Sequence, residues 1–299
     1  MEHVRCDLCG NDNAVLYLKR ADRFSGQMFQ YVICRECGLI YLNPRPDPDT
    51  LLMHCYPICY EAYQPLQTLP RVKRWKKQRA VKTLVRFVSR YRTSGRLLDI
   101  GCGTGEFLYE MQKLGWKVEG VEPNERVATI ARRYYGLKIF VGPVEEFESP
   151  PETYDLITMW DVLEHVSSPL STLRRIYDWL SNSGFLIFST PNIKSFDALL
   201  FGKWWIGWDA PRHLYLFPPI TLTRLLSQTG FRVLARRCIL GAQGSFRLSY
   251  QFLLSTELRP LYKFLKTLEV VFPIVLWPYK QLSYLLGYGP IITVVAQKT

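Results

Sequence analysis

A chain of 299 residues with 48 % hydrophobic and 21 % charged residues can bury a sizeable core, which excludes wholesale disorder. Its 38 Lys and Arg outnumber 26 Asp and Glu, and the formal charge of +12 favours anionic partners such as lipid headgroups, nucleic acid or phosphorylated substrates. The opening residues, MEHVRCDLCGNDN, hold no apolar run of the secretory kind, so the eight cysteines read as cytosolic thiols or metal ligands and not as a disulfide framework.

Two cysteine knuckles come first. Cys6-Asp7-Leu8-Cys9-Gly10 is followed, after 24 intervening residues, by Cys34-Arg35-Glu36-Cys37-Gly38. Each CxxC sets two thiolates on one tight turn, and the glycine after it eases that turn. Four soft ligands of this kind suit a closed, structural Zn²⁺ site at Cys6, Cys9, Cys34 and Cys37. His54, Cys55 and Cys59 form a weaker cluster, read as a turn packed against a core. From Arg71 to Arg92 there are ten Lys or Arg and no acid, with Val72, Trp75, Val81, Leu84, Val85 and Val88 in helical rhythm. The spacing predicts a basic amphipathic helix, either packed by one stripe or attracted to an anionic partner.

The central segment alternates strands and helices. Arg96 to Ile100 predicts a strand ending on Asp99, and Gly101, Gly103 and Gly105 form a loop into a helix from Glu106. Lys117 to Val121 predicts a second strand ending at Glu122, an acid suited to the two hydroxyls of a ribose. A helix over 124–135 follows, then strands over 137–141, 154–159 and 184–190. This order predicts an α/β fold with a doubly wound parallel sheet whose ligand lies at the carboxyl ends of the strands.

The motifs LLDIGCGTGEFL, VEGVEPN, YDLITMWDVLEHV and GFLIFSTPN, in that order over 96–192, resemble the class I S-adenosylmethionine-dependent methyltransferases. A dehydrogenase would carry GxGxxG, whereas DxGxGxG stands here. The stretch WDAPRHLYLFPPITLTRLLSQTGF, residues 208–231, is similar to a branch of the same family, and IITVVAQ at 291–297 would be its last, antiparallel strand. The resemblance implies a Rossmann-like sheet of seven strands with a small N-terminal zinc ribbon and a C-terminal helical insertion. The expected divisions are a zinc ribbon at 1–45, a linker and basic helix at 46–92 and a methyltransferase domain at 93–245. An apolar insertion at 246–288 and the last strand at 289–299 complete them.

Carried over residue by residue, the resemblance implies that Gly101 and Gly103 contact the methionine part of the cofactor and that Asp99 orients that loop. Glu122 binds the ribose, Pro123 borders the adenine, Val144 and Glu145 lie near the adenine edge, and Asp161 stands near the reacting methyl. His165 and His213 are the candidate bases, because imidazole titrates near neutrality. Trp208, Arg212 and His213 lie in a loop expected to meet substrate, with Arg212 as an anion clamp. Asp161, Glu164 and His165 at i, i+3, i+4 are similar to the ExxEH metal motif of ubiquinone-biosynthesis O-methyltransferases, and could hold Mg²⁺ on one helix face.

Phe246 to Leu286 is rich in Leu, Tyr and Phe, but Pro273, Pro278, Gly287 and Pro290 interrupt it, so no spanning helix is expected. An enlarged core, a dimer interface or an in-plane membrane contact with Arg259, Lys263, Lys266 and Lys280 at the headgroups would each account for it. The chain reads as a cytoplasmic enzyme, peripheral on the inner face of the membrane in the lipid-contact case. It would methylate a small-molecule or lipid-linked acceptor, with a sugar hydroxyl or carbon as the expected atom. An RNA methyltransferase and a non-catalytic cofactor-binding or membrane-surface protein are the alternatives, nucleic acid being ranked lower because the basic run is one helix without an RNA-binding aromatic motif.

Overall fold

The computed structural model describes residues 1–48, 50, 51, 63–257, 260, 266, 267 and 271–299; the side chains of residues 242, 243 and 273 are not described. The expectations for His54, Cys55, Cys59, Arg259 and Lys263 fall outside these residues. The chain divides into two compact units, one of residues 48–189, 226–235 and 294–299, the other of residues 1–47, 190–225 and 236–293. These units cut across the divisions read from the sequence, because residues 190–225 cluster with the cysteine segment and not with the 93–189 stretch.

The larger element is a seven-stranded sheet. Its strands in chain order are β4 (Arg96–Ile100), β5 (Lys117–Glu122), β6 (Ile139–Val141), β7 (Tyr154–Trp160), β8 (Leu180–Pro191), β10 (Phe231–Arg237) and β11 (Ile291–Lys298). In space they run β10-β11-β8-β7-β4-β5-β6. The pairs β4/β5, β4/β7, β5/β6 and β7/β8 are parallel. Because β4 has β5 on one side and β7 on the other, the order reverses there, and its carboxyl end opens a crevice. The central strands are buried on both faces, with Leu97, Leu98, Leu156, Ile157 and Met159 fully enclosed, as expected of a parallel sheet covered by helices.

Local chemistry sets the helix boundaries. Asn124 caps the helix Glu125–Tyr135, its Oδ1 accepting from the N–H groups of Arg126 and Val127 at 3.1 and 3.3 Å. Ser168 caps Pro169–Trp179, accepting from Ser171 N–H at 3.2 Å, with Pro169 placed where no N–H is needed. The basic helix α1 spans Arg71–Val88 and stops one turn before the expected Arg92. Its C-terminal Phe87 and Val88 are buried, while Arg71, Lys73, Lys76 and Arg79 face solvent.

The other unit contains a four-stranded sheet in the order β1 (Ala14–Ala21), β2 (Met28–Cys34), β3 (Ile40–Leu42), β9 (Tyr215–Leu216). The N-terminal segment is thus completed by a strand from the WDAPRHLYLF stretch, with Ile40 opposite Leu216 and Tyr41 opposite Tyr215. A buried charge network holds this pairing. The Arg212 guanidinium is fully enclosed, donating through Nε and Nη2 to both carboxylate oxygens of Asp209 at 2.9 and 2.7 Å and through Nη2 to Asp22 at 2.8 Å. The Tyr31 hydroxyl reaches the carbonyls of Trp208 and His213, and the Trp208 ring packs 5.0 Å from that of Tyr31. Arg212 and Trp208, expected to meet substrate, are therefore parts of a core; a guanidinium spent on two buried carboxylates is no anion clamp.

Among the described residues of this unit, the helices Phe196–Phe201, Ala242–Glu257 and Phe272–Leu285 pack together. Phe246 joins them, with ring centroids 5.0 Å from Phe201, 5.6 Å from Phe272 and 5.7 Å from Tyr279. The apolar insertion is thus helical where it is described, and no helix among the described residues is long and apolar enough to cross a membrane.

Arg212→Ala would leave Asp22 and Asp209 buried without their shared cation. The expected cost is about 3–5 kcal/mol of folding free energy, read as an unfolding midpoint shift in denaturant. Arg212→Lys, which keeps the charge but loses the two-pronged contact, should fall between it and wild type.

Candidate active site at the carboxyl edge of the sheet

The glycine-rich loop begins where β4 ends. Gly101, Gly103 and Gly105 all have left-handed backbone, with φ of 71°, 56° and 84°. A Cβ on Gly101 would lie 2.4 Å from the Val162 side chain, so this position tolerates nothing larger. A Cβ on Gly103 meets nothing within 4 Å, which marks an open cradle above the loop where a ligand can approach backbone. One strand away, Gly120 on β5 admits no side chain because Cys102, Ile139 and Leu108 would stand 2.7 to 2.9 Å from its Cβ.

Three carboxylates surround this loop. Asp99, third of its strand to face β7, accepts from the Thr158 hydroxyl at 2.6 Å. Glu122, at the end of β5, accepts from Gly103 N–H at 2.9 Å and Asn124 N–H at 3.0 Å. Asp161, just past β7, takes the Ser189 hydroxyl on Oδ1 at 2.8 Å. Asp99 and Glu122 are deprived of water, whereas Asp161 is exposed. Burial, with a smaller contribution from the Glu122 charge, pushes the Asp99 carboxyl up to about 8. Burial pushes Glu122 up to about 7 against the two backbone donors. The hydroxyl of Tyr63 is raised by burial and then by the charge of Glu122.

The loop is clamped from its far side. Lys77 of the basic helix donates to Glu106 Oε1 at 2.9 Å, to the Thr104 hydroxyl at 3.0 Å and to the Gln64 carbonyl at 2.8 Å. Thr104 donates in turn to Glu106 Oε2 at 2.5 Å. One cation in the basic run is therefore a positioning residue for the glycine loop. Lys77, Thr104, Glu106, Thr158, Ser189 and Tyr63 escaped the sequence reading; the TGE of GCGTGE was the available signal for two of them.

The remaining expected residues are distributed as follows. Val144 is buried in a single helical turn with Glu145, whose carboxylate accepts from Ser167 N–H at 3.2 Å. Pro123 follows Glu122 directly, between the strand and the Asn124 cap. His165 lies in the turn after β7, its backbone N–H bonded to the Val162 carbonyl at 2.9 Å. Asp161 has φ of 55°, so residues 161–165 are turn and not helix. The helix face that was to align Asp161, Glu164 and His165 for Mg²⁺ is replaced by this turn; Glu164 and His165 still bring ligand atoms within 4.8 Å of each other, and Asp161 is not grouped with them. In the other unit, His213 Nδ1 lies 2.7 Å from the Gly207 carbonyl, and burial lowers its pKa below the ordinary imidazole value. With Nδ1–H donating to that carbonyl, Nε2 is the basic nitrogen.

In the same unit, Cys6, Cys9, Cys34 and Cys37 converge, their Sγ atoms all within 4.8 Å of one another. Cys6 and Cys37 are 3.3 Å apart and Cys9 and Cys34 3.6 Å. The two knuckles are built alike, with Gly10 N–H bonded to the Cys6 carbonyl and Gly38 N–H to the Cys34 carbonyl, and both glycines left-handed.

A parallel sheet of this order, with a glycine cradle and acids at three adjacent strand ends, defines a Rossmann-like methyltransferase. Residues 72–236, more than half of the chain, match the family model described as "Methyltransferase domain", and the chain belongs to that family of S-adenosylmethionine-dependent methyltransferases. Over 149 residues it is 33 % identical to a ubiquinone biosynthesis O-methyltransferase of Aliivibrio fischeri strain MJ11, covering 46 % of this chain and 64 % of the relative. A second such protein, from Ruegeria pomeroyi, is 35 % identical over 153 residues, 48 % of this chain and 62 % of the relative. The chain thus spans somewhat under two thirds of these relatives. Among solved structures, a SAM-dependent methyltransferase from Archaeoglobus fulgidus shares the fold with a TM-score of 0.52 and 20 % identity, over 74 % of this chain and 94 % of that one. A phosphoethanolamine N-methyltransferase from Haemonchus contortus, solved with S-adenosyl-L-methionine, does so with a TM-score of 0.54 and 18 % identity, over 87 % and 62 %.

Because Glu122 holds its proton more tightly when folded than the ordinary 4.5, the folded state loses stability as pH rises from that value through about 7. Glu122→Gln should remove that pH dependence, visible as a melting temperature that no longer falls between about pH 5 and pH 8. A Gln variant whose melting temperature falls with pH as steeply as wild type would contradict the buried, raised acid.

Proposed function

We propose that the chain transfers a methyl group from S-adenosylmethionine to a hydroxyl of a small-molecule or lipid-linked acceptor, plausible acceptors including a sugar. The observation that carries the cofactor half is the set of acids at the ends of β4, β5 and β7 around the open cradle at Gly103. The donor chemistry fits. Glu122 offers carboxylate lone pairs to the ribose hydroxyls, and the Gly101–Gly103 backbone takes the methionine part under Asp99. Asp161 faces the positive end, with Pro123, Val144 and Glu145 beside the adenine. Each buried acid is an unfavourable charge that a cationic ligand offsets. When bound, the cofactor supplies an already activated methyl, so the protein's tasks are alignment and proton removal. His213, neutral and with its tautomer fixed by Gly207, is the proposed base; His165 is the second candidate. The imidazole would take the proton of the acceptor hydroxyl.

The relatives named for ubiquinone biosynthesis support O-methylation of a small molecule. The four-cysteine cluster supports a structural Zn²⁺, since a tetrahedral thiolate site with bonds of about 2.3 Å sets its sulfurs about 3.8 Å apart, close to the separations present.

Calorimetry should show S-adenosylmethionine binding that weakens about 10–100-fold in Glu122→Gln, the loss of charge-assisted hydrogen bonds. In wild type the affinity should rise with pH through about 7 and about 8, where Glu122 and then Asp99 give up their protons, and level off above. A wild-type, metal-replete protein that binds no cofactor would overturn the reading. In a screen of hydroxyl acceptors with methyl-labelled cofactor, His213→Asn should lower kcat about 10²–10⁴-fold and leave cofactor affinity intact. The pH midpoint of the wild-type rate should lie below that of an ordinary imidazole, because the His213 pKa is depressed. Metal analysis should find one zinc per chain, lost in Cys37→Ser together with thermal stability.

A further inference from the structure

The helix Phe272–Leu285 is amphipathic the wrong way round for a water-facing element. Its inner face carries Leu276, the fully buried Ser283 and Tyr279, whose hydroxyl is bonded to the buried Asp197. Its outer face carries Ile274, Val275, Trp277, Leu282 and Leu285, the first and last 79 % and 83 % exposed and Trp277 59 %. These positions recur at helical spacing, so they form one continuous strip whose only polar interruption is Gln281. The neighbouring helix Phe196–Phe201, joined to this one by the Phe196 and Tyr279 rings 6.4 Å apart, adds Leu199 at 83 % exposure. An apolar strip of this extent marks a contact surface.

Charge selects the occupant. From Val270 to Thr299 there is no carboxylate side chain, while Lys280 stands on the same helix with its ammonium 5.6 Å from the Tyr284 ring. Trp277, Tyr284 and Tyr288 are the amphipathic rings that settle between hydrocarbon and headgroups. Fourteen residues make a helix of about 21 Å, short of the roughly 30 Å of a bilayer's apolar layer, so the strip can lie in the membrane plane but not cross it. The other unit independently offers the same chemistry on the basic helix, where Trp75 is 56 % exposed among solvent-facing Arg71, Lys73, Lys76 and Arg79. Two surfaces that pair exposed tryptophan with cations and exclude acids match an anionic lipid surface better than a second copy of a chain with a charge of +12.

We propose that this protein docks on an anionic bilayer by laying the outer strip of residues 274–285 into the interfacial layer. The inference does not rest on the methyl-transfer reading.

Full-length, zinc-replete protein is sedimented with phosphatidylcholine vesicles containing or lacking phosphatidylglycerol. Wild type should pellet with the anionic vesicles and release as salt is raised, with little association with the neutral ones. The variant Ile274→Ser/Trp277→Ser/Leu285→Ser should lose about tenfold or more in partition while keeping wild-type cofactor affinity and melting temperature. Because its three positions are solvent-facing, retained folding is itself expected. Wild type remaining in the supernatant with anionic vesicles would overturn the proposal. So would a variant that pellets as wild type does, or a wild-type dimer that the three substitutions convert to monomer without any vesicle binding. If the variant is unstable, bromolipid quenching in the folded wild type decides, with Trp277→Phe as the control. Quenching that is unchanged by Trp277→Phe places the strip outside the membrane and ends the proposal.

Discussion

Removing water from the carboxylates at the ends of β4 and β5 is the constraint on which this molecule turns. The groups that oppose the desolvation of Asp99 and Glu122 are the Thr158 hydroxyl and the N–H groups of Gly103 and Asn124, all neutral. Neutral donors soften the cost of a buried charge without cancelling it, which is why both acids lie well above the ordinary carboxylate range. Much of the surrounding backbone serves to hold them there. Gly120 must lack a side chain for the loop at Cys102 to sit against β5, and Gly101 must lack one for Val162 to pass. A fold that carries this strain at one edge is poised for a cation, and sulfonium and ammonium are what the proposed cofactor brings.

The same molecule shows the opposite solution to buried charge. Arg212 is as deeply enclosed as Asp99, yet two carboxylates match it, and Asp209 is held far below the usual carboxylate range chiefly by that guanidinium, which outweighs its desolvation. A charge paired on all sides has nothing left to offer a ligand. It fixes geometry: Asp22 comes from the turn between β1 and β2 and Asp209 from the segment before β9, so the network closes a contact across 190 positions of sequence. Compensation therefore separates the structural ion from the functional acid, even though both lie among residues that a motif comparison singles out.

The contrast also explains what was legible in the sequence. The strand, glycine turn and acid of LLDIGCG and VEGVE are local devices, each complete within a dozen residues, and their elements emerge within one or two residues of expectation. The cysteine knuckles are equally local. Trp208 and Arg212 were misread because their partners, Tyr31 and Asp22, lie in the first hairpin, and no spacing rule connects them. The turn at 161–165 was taken for helix because its residue types permit a helix; the left-handed backbone at Asp161, tied by Ser189 of the adjacent strand, forbids it. Lys77 was visible as one charge in ten, with nothing local to show that it grips Thr104 and Glu106.

Lys77 also bears on how the basic helix should be understood. Its cations do not form one population. Lys77 is directed inward, held by a carboxylate, a hydroxyl and a carbonyl, whereas Lys73, Lys76 and Arg79 point to water. The inward lysine fixes the helix against the start of the glycine loop, so the outward cations are displayed on a support anchored beside the cofactor cradle. Thr104 and Glu106, which Lys77 grips, stand two and four residues past Cys102 in the glycine loop. Surface electrostatics and loop geometry meet in a single side chain, and the excess positive charge of this protein is in that respect part of the construction of its active edge.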